Sequence, residues 1–257
     1  MTENSAPITQ QELTTARVDF KKRNFDILVE QKGLNLCHEK AIRCSCVMEV
    51  NGSPLSDCVS CNGSGWIWYD LKEIKGVLTG IGFDPKFMQY SRVNLGTANL
   101  TVRYDDAQRL SWFDRITLVD GQTVFHENIF PHLRTGDTVA QELTTYSILE
   151  IDKIFLFIDA NTQQQELVVG TDFTFSGRSI TLSTELRNEL IQQSGNDIKK
   201  CISIRYRHRP QYVVMDLQND IRNTNVVTTG GSEELNHMPI HALVKRLHYV
   251  VGDKGFE

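Results

Sequence analysis

A chain of 257 residues, 40% of them hydrophobic and 23% charged, is long and apolar enough to bury a core, which excludes a wholly disordered polypeptide. Its formal net charge of -5 gives no overall attraction for nucleic acid. No apolar run approaches the about 20 residues that cross a bilayer, and the polar start MTENSAPITQQELTT lacks the basic and apolar regions of a secretion signal, so the expected compartment is a cytosol with no membrane contact.

In chain order, residues 1 to about 10 carry no pattern, and QQELTTARVDFKKRNFDILVEQ then places Leu13, Ala16, Phe20 and Ile27 at helical spacing. A helix ending near Gly33 is predicted. Residues 34–75 hold four cysteines, two turn signals (Asn51-Gly52-Ser53-Pro54 and Asn62-Gly63-Ser64-Gly65) and the aromatic run WIWY, which together read as a small hairpin-based insertion. From Gly76 the texture changes to short alternating runs: NLTVRY, RITLV, TVFHENI after an Asp120-Gly121 turn, SILEIDKIFLFID, ELVVG, TDFTFSG, SITLS, CISIRYRH and QYVVMDL. Short strands without long helices between them predict a mainly β fold, a sandwich or barrel-like set of antiparallel sheets with an N-terminal helix and a small zinc-ribbon-like insertion.

The segment TELRNELIQQSG fits a short helix through Leu186, Leu190 and Ile191. After it, Thr228-Thr229-Gly230-Gly231-Ser232 reads as a flexible joint and HALVKRLHYVVG as an edge strand or a last helical turn. The expected organisation is an N-terminal arm and helix (1–33), the zinc-ribbon-like insertion (34–75), a β domain (76–222) and a C-terminal arm (223–257).

Within the insertion, Cys44-Ser45-Cys46 and Cys58-Val59-Ser60-Cys61 are paired as metal ligands are, each pair on a tight turn able to aim thiolates at one point. Zinc held by Cys44, Cys46, Cys58 and Cys61 is the leading expectation, with an iron–sulfur cluster ranked below it. The first pair is Cys-x-Cys, so Cys37 or His38 stays open as a replacement ligand. Four thiolates would leave the metal no position for water, which makes the site structural. A clamp on the insertion is favoured over a nucleic-acid contact, because Arg43 is the one basic residue between Lys40 and Lys72 and phosphate binding needs several. Trp66, Trp68 and Tyr69 are expected to cover the metal and seat the insertion on the body.

Catalytic motifs are missing: there is no phosphate-binding glycine loop, no Gly-x-Ser-x-Gly and no His-Glu-x-x-His. His237 and His241 are separated by Pro239, which argues against one helical face presenting both. Asp105, Asp106, Asp114, His126 and Glu127 fall at strand ends and turns, where solvated side chains are expected. Arg205, Arg207 and Arg209 alternate with Ile204 and Tyr206 and so form a stripe on one strand face, with Arg178 and Arg222 as possible neighbours. A solvated face or a row of ion pairs between subunits accounts for that stripe better than DNA does.

The order CHEKAIRCSC, DCVSCNGSGWIWY, LTVRYDDAQRLSWFDRITLVDG, VVGTDFTFSGRSITL and ISIRYRHRPQYVVMDL resembles a group of tailed-bacteriophage virion proteins encoded among head and neck genes, over about residues 25–222. The cysteine unit also looks like the Cys-x-x-Cys-x-Gly-x-Gly of DnaJ-type chaperones, but those repeat it and here it occurs once. Ser45 stands where the phage proteins tend to have proline. The resemblance implies a non-enzymatic virion structural subunit of the neck or head-tail connector. It would be assembled in the cytoplasm of a bacterial host and work as a ring of identical copies between portal, adaptor or tail proteins. Genomic DNA would pass through without sequence-specific binding, as an acidic lumen favours. A zinc-ribbon nucleic-acid-binding or regulatory protein is the alternative.

Overall fold

The structure is a computed structural model describing residues 22–48, 52–55, 58, 60–80, 96–131, 141–157, 164–192, 201–218, 223–227, 233–237 and 239–251. The start of the expected first helix, Arg222 and the 228–232 joint lie outside those residues. The described chain begins with helix α1 (Lys22–Lys32) and strands β1 (Leu34–Arg43), β2 (Trp66–Gly80) and β3 (Thr97–Val102), followed by the short helix α2 (Tyr104–Ala107). Next come β4 (Arg115–Leu118), β5 (Thr123–Ile129), β6 (Gln141–Leu143), β7 (Glu150–Phe157), β8 (Gln165–Glu166), β9 (Phe173–Ser176) and β10 (Ser179–Leu182). Helix α3 (Thr184–Gln192) leads to β11 (Cys201–His208), β12 (Gln211–Gln218), β13 (Asn223–Val227), β14 (Glu233–His237), β15 (Ile240–Arg246) and the last turn α4 (His248–Val251). Among the described residues no helix is long and apolar enough to cross a membrane.

The fold is mainly β, and its antiparallel strands form two bodies and a separate two-stranded sheet, β13-β14. Six strands close into a barrel in the order β1-β2-β3-β15-β12-β4, with β4 pairing back onto β1. Leu36, Leu100, Ile116, Val214 and Val244 point inward and are buried, as alternation along each strand requires. Gly76 lies inside because a Cβ there would come within 3.0 Å of Leu36, Leu100 and Val102 side-chain atoms. The barrel draws strands from 34–75, from 76–222 and from 223–257. HALVKRLHYVVG supplies β15, between β3 and β12, and then α4, so the expected edge strand is an interior member of a sheet that has no edge.

The second body joins a four-stranded sheet (β5-β11-β7-β8) to a three-stranded one (β6-β10-β9) and α3. Its core contains Ile154, Leu156, Phe173, Ile180, Leu190, Ile202 and Ile204. Val213 and Val214, neighbours on β12, are both buried but serve different cores, Val213 the second body and Val214 the barrel. One strand therefore acts as a party wall. The two strands flanking Asp120-Gly121, β4 and β5, likewise separate, one into the barrel and the other into the open sheet. The run 152–182 also divides, with β7 pairing β8 in one sheet and β9 pairing β10 in the other.

A buried polar cluster ties the second body to the end of the chain. The Tyr146 hydroxyl lies 2.6 Å from His248 Nδ1, and the Tyr146 ring stacks on His208 at 3.8 Å. Tyr206 donates its hydroxyl proton to Glu127 at 2.6 Å and accepts the Tyr146 N–H. Burial holds the His208 imidazole down to about 4 and pushes the Tyr146 phenol up to about 12. Both side chains therefore stay neutral across the physiological range.

Candidate metal centre

Strands β1 and β2 run past the barrel as one hairpin arm, and the cysteines occupy its end. Two strands alone make a marginal structure in water, so the arm needs other support. One support is the seat at Phe113, just before β4, where Trp68 and Phe113 also pack against the core of the second body. Trp66 stacks on Phe113 with ring centroids 4.2 Å apart and 14° between planes. The Trp68 indole N–H donates to the Phe113 carbonyl at 3.1 Å, and the Arg115 guanidinium lies 4.5 Å over the Trp68 ring. Phe113 has a φ of 67°, a conformation a bulky residue adopts only when its surroundings hold it there. Its N–H donates to Val214 O at 2.8 Å, so barrel and arm fix it from two sides.

At the far end, Cys44, Cys46, Cys58 and Cys61 converge, with all four sulfurs within 4.8 Å of one another. Cys44 Sγ lies 3.8 Å from Cys58 Sγ, and Cys46 Sγ lies 3.4 Å from Cys61 Sγ. A tetrahedral site with metal–sulfur bonds of about 2.3 Å has edges of about 3.8 Å, so the spacing fits a single metal ion. Disulfides, at about 2.05 Å, are excluded at these separations, and all six cysteines are free thiols.

The backbone is arranged to receive negative sulfur. Gly65 adopts a φ of +77° and donates its N–H to Cys61 Sγ at 3.4 Å, while Ser64 N–H closes the turn on Cys61 O. Only a residue without Cβ takes that hand freely. Backbone N–H groups of Cys61 and Ser60 point at Cys58, and the Cys61 N–H in particular draws the Cys58 thiol down to about 6. Desolvation pushes Cys46 up to about 12. Sulfurs packed this closely cannot all carry charge unaided, and a divalent cation among them removes the conflict.

Cys37 and His38, the alternative ligands, are not members of this group. Cys37 pairs with Glu73 on the barrel wall, where burial raises its thiol pKa. His38 is fully buried in the barrel, its Nε2 2.8 Å from Asp114 Oδ2. Asp114, expected to be solvated, is also fully buried and accepts the backbone N–H groups of Ser111 and Ala41 at 2.8 Å each. The sequence offered one signal for this pair, the polar His38 two positions after the inward Leu36.

The other acidic positions separate. Asp106, also buried, pairs with Lys72 at 3.3 Å and Arg103 at 3.2 Å. Glu127 serves Tyr206 and Thr145, while Asp105 and His126 are exposed. No acid–base cluster assembles from them. The arginine stripe is an ion-paired, exposed face: Arg205 meets Asp152 at 3.3 Å and Arg207 meets Asp152 at 3.4 Å and Glu150 at 3.6 Å. Arg178 lies elsewhere, donating to Thr144 O, and its guanidinium pKa is lowered by burial. His237 and His241 fall in successive strands rather than on a helix, with His241 Nδ1 2.7 Å from Thr101 Oγ1.

The chain matches no protein-family model and no curated protein.

Proposed function

We propose that this chain is a non-enzymatic virion structural subunit of a tailed phage, part of the neck or head-tail connector ring between portal and tail, and that Cys44, Cys46, Cys58 and Cys61 hold a structural zinc. The observation that carries the structural role is the convergence of four thiol sulfurs at the end of an arm seated on the barrel by Trp66 and Trp68. Four cysteine ligands complete a tetrahedron, so the metal would hold the two halves of the hairpin together rather than activate a substrate. The placement in a virion neck rests on the order of segments from CHEKAIRCSC to ISIRYRHRPQYVVMDL. Zinc is favoured over an iron–sulfur cluster because sulfurs 3.4–3.8 Å apart span one small ion, whereas a cluster has to hold its cysteines further apart around several metals.

Two measurements test this reading. Elemental analysis of protein purified without added metal should give about one zinc per chain; a brown iron-containing protein would overturn the assignment. Particles from a phage lacking the gene should accumulate as filled heads and free tails by electron microscopy. Normal particles, together with a monomeric protein whose DNA binding weakens steeply with salt, would favour the nucleic-acid-binding alternative.

A further inference from the structure

The four sulfurs are divided by access as well as by position. Cys44 and Cys61 are buried, each 4% exposed, whereas Cys46 and Cys58 are half-buried. The close contacts Cys44–Cys58 and Cys46–Cys61 each join a buried sulfur to an accessible one, and each joins the turn after β1 to the turn before β2. Closing either gap from 3.8 or 3.4 Å to a bond of about 2.05 Å asks each sulfur to move by less than about 1 Å.

From this geometry we propose that the arm has a second, covalent form: under oxidation the metal leaves and two disulfides, Cys44–Cys58 and Cys46–Cys61, hold the same two turns together. The inference rests on the metal reading of the site. The accessible thiolate of Cys58 or Cys46 attacks one oxygen of a peroxide; an S–O bond forms to give the sulfenic acid, the O–O bond breaks, and the other oxygen leaves as hydroxide. The buried partner thiolate, Cys44 or Cys61, then attacks that sulfur, forming the S–S bond and expelling the sulfenic oxygen, also as hydroxide. Each disulfide thus takes two electrons from two thiolates, reduces one peroxide and, with two protons from solvent, yields two waters. Two such events free the divalent ion. Pairing within a turn, Cys44 with Cys46 and Cys58 with Cys61, would close each turn on itself and leave the two sides of the hairpin unlinked. A subunit folded in a reducing cytoplasm and then released into an oxidising medium would keep its arm in both settings.

The test treats zinc-loaded, full-length protein with hydrogen peroxide in the presence of a chromogenic chelator. The expected result is release of all bound zinc, a loss of about 4 Da from the polypeptide for two disulfides, and peptide maps showing Cys44–Cys58 and Cys46–Cys61. Hydrogen exchange at the Cys44 amide, which donates to Gly65 O at 2.9 Å, should stay slow after oxidation and become fast when zinc is chelated under reducing conditions. Cys58→Ser should leave Cys46–Cys61 as the only cross-link formed. Disulfides within each turn, sulfinic acids without disulfides, or fast exchange after oxidation would overturn the covalent form while leaving the zinc site standing. Protein that carries no metal before peroxide is added would overturn both.

Discussion

Along β1 and β2 the same two strands pass through two environments. Near the helix end of β1, Leu36 and His38 face Ile74 and Gly76 in an interior shut off from solvent; further along, Ile42, Tyr69 and Leu71 are 54%, 50% and 63% exposed. The barrel half is stabilised by apolar burial distributed over six strands, whereas the arm half reaches a core through Trp68 and its neighbour Phe113, at the margin of the second body. Its cohesion is concentrated in a few contacts, the Trp66 and Trp68 seat and the four sulfurs. Burial scales with the number of neighbours a strand has, so a two-stranded projection requires a compact source of energy that a barrel strand does not.

The largest effect should come from removing the metal or replacing Cys61 by Ser. The arm is expected to lose about 5 kcal/mol or more of local stability. Hydrogen exchange should quicken at Cys44 and Gly65 while amides of β3 and β15 keep their protection. Equal loss in the barrel would show that the two halves are not separately held.

Asp114→Ala should cost about 3–5 kcal/mol of global stability, because it leaves His38 and two backbone N–H groups buried without their acceptor. Denaturant unfolding measures it, and zinc content should not change. Trp66→Ala should have the converse signature at about 2 kcal/mol, the metal retained but the arm loosened from Phe113. Faster tryptic cleavage after Arg43 would report that, and unchanged cleavage would count against the seat.

The smallest effect is one of pH and belongs to the second body alone. His208 is held below its unfolded value of about 6.5, so the unfolded chain binds the proton first, and stability present at neutral pH drains away as pH falls toward about 4. Between pH 7 and pH 5 the loss should be at most about 2 kcal/mol, read as the difference in melting temperature between the native protein and His208→Phe. The arm's exchange rates should not follow it.

Much of this was legible from local pattern. CISIRYRH alternates, and β11 buries Ile202, Ile204 and Tyr206 while exposing Arg205 and Arg207. The cysteine spacing identified the four sulfurs that meet. What local pattern does not encode is which strands share a sheet. Barrel closure depends on β4 pairing with both β1 and β12, contacts between residues far apart in sequence that no turn signal marks. Asp114 was misjudged for a related reason. A carboxylate at a strand start is solvated by default, and its burial here is decided by partners on β1, Ala41 and His38, far away in sequence. The aromatic run divides: Trp66 and Trp68 seat the arm at Phe113 as expected, whereas Tyr69 is half exposed.

Asp70 carries a further consequence. Its φ of 55° marks an irregularity in β2, where the partners of β1 step from His38↔Lys72 to Lys40↔Tyr69 and one residue of β2 goes unmatched. That extra residue sets the parity of everything beyond it. With it left out of the ladder, Trp66 and Trp68 stand opposite Arg43 and Ala41, on the side where Phe113 waits; a regular ladder continued from His38↔Lys72 with that residue matched would put Ile67 and Tyr69 in those places and turn both indoles to the other face. The arm would remain a hairpin and its cysteines could still gather, yet it would present the wrong side to the barrel. A single backbone conformation, stabilised by Lys40 and Arg109 on the Asp70 carboxylate, thus acts as a phase setting for the whole projection.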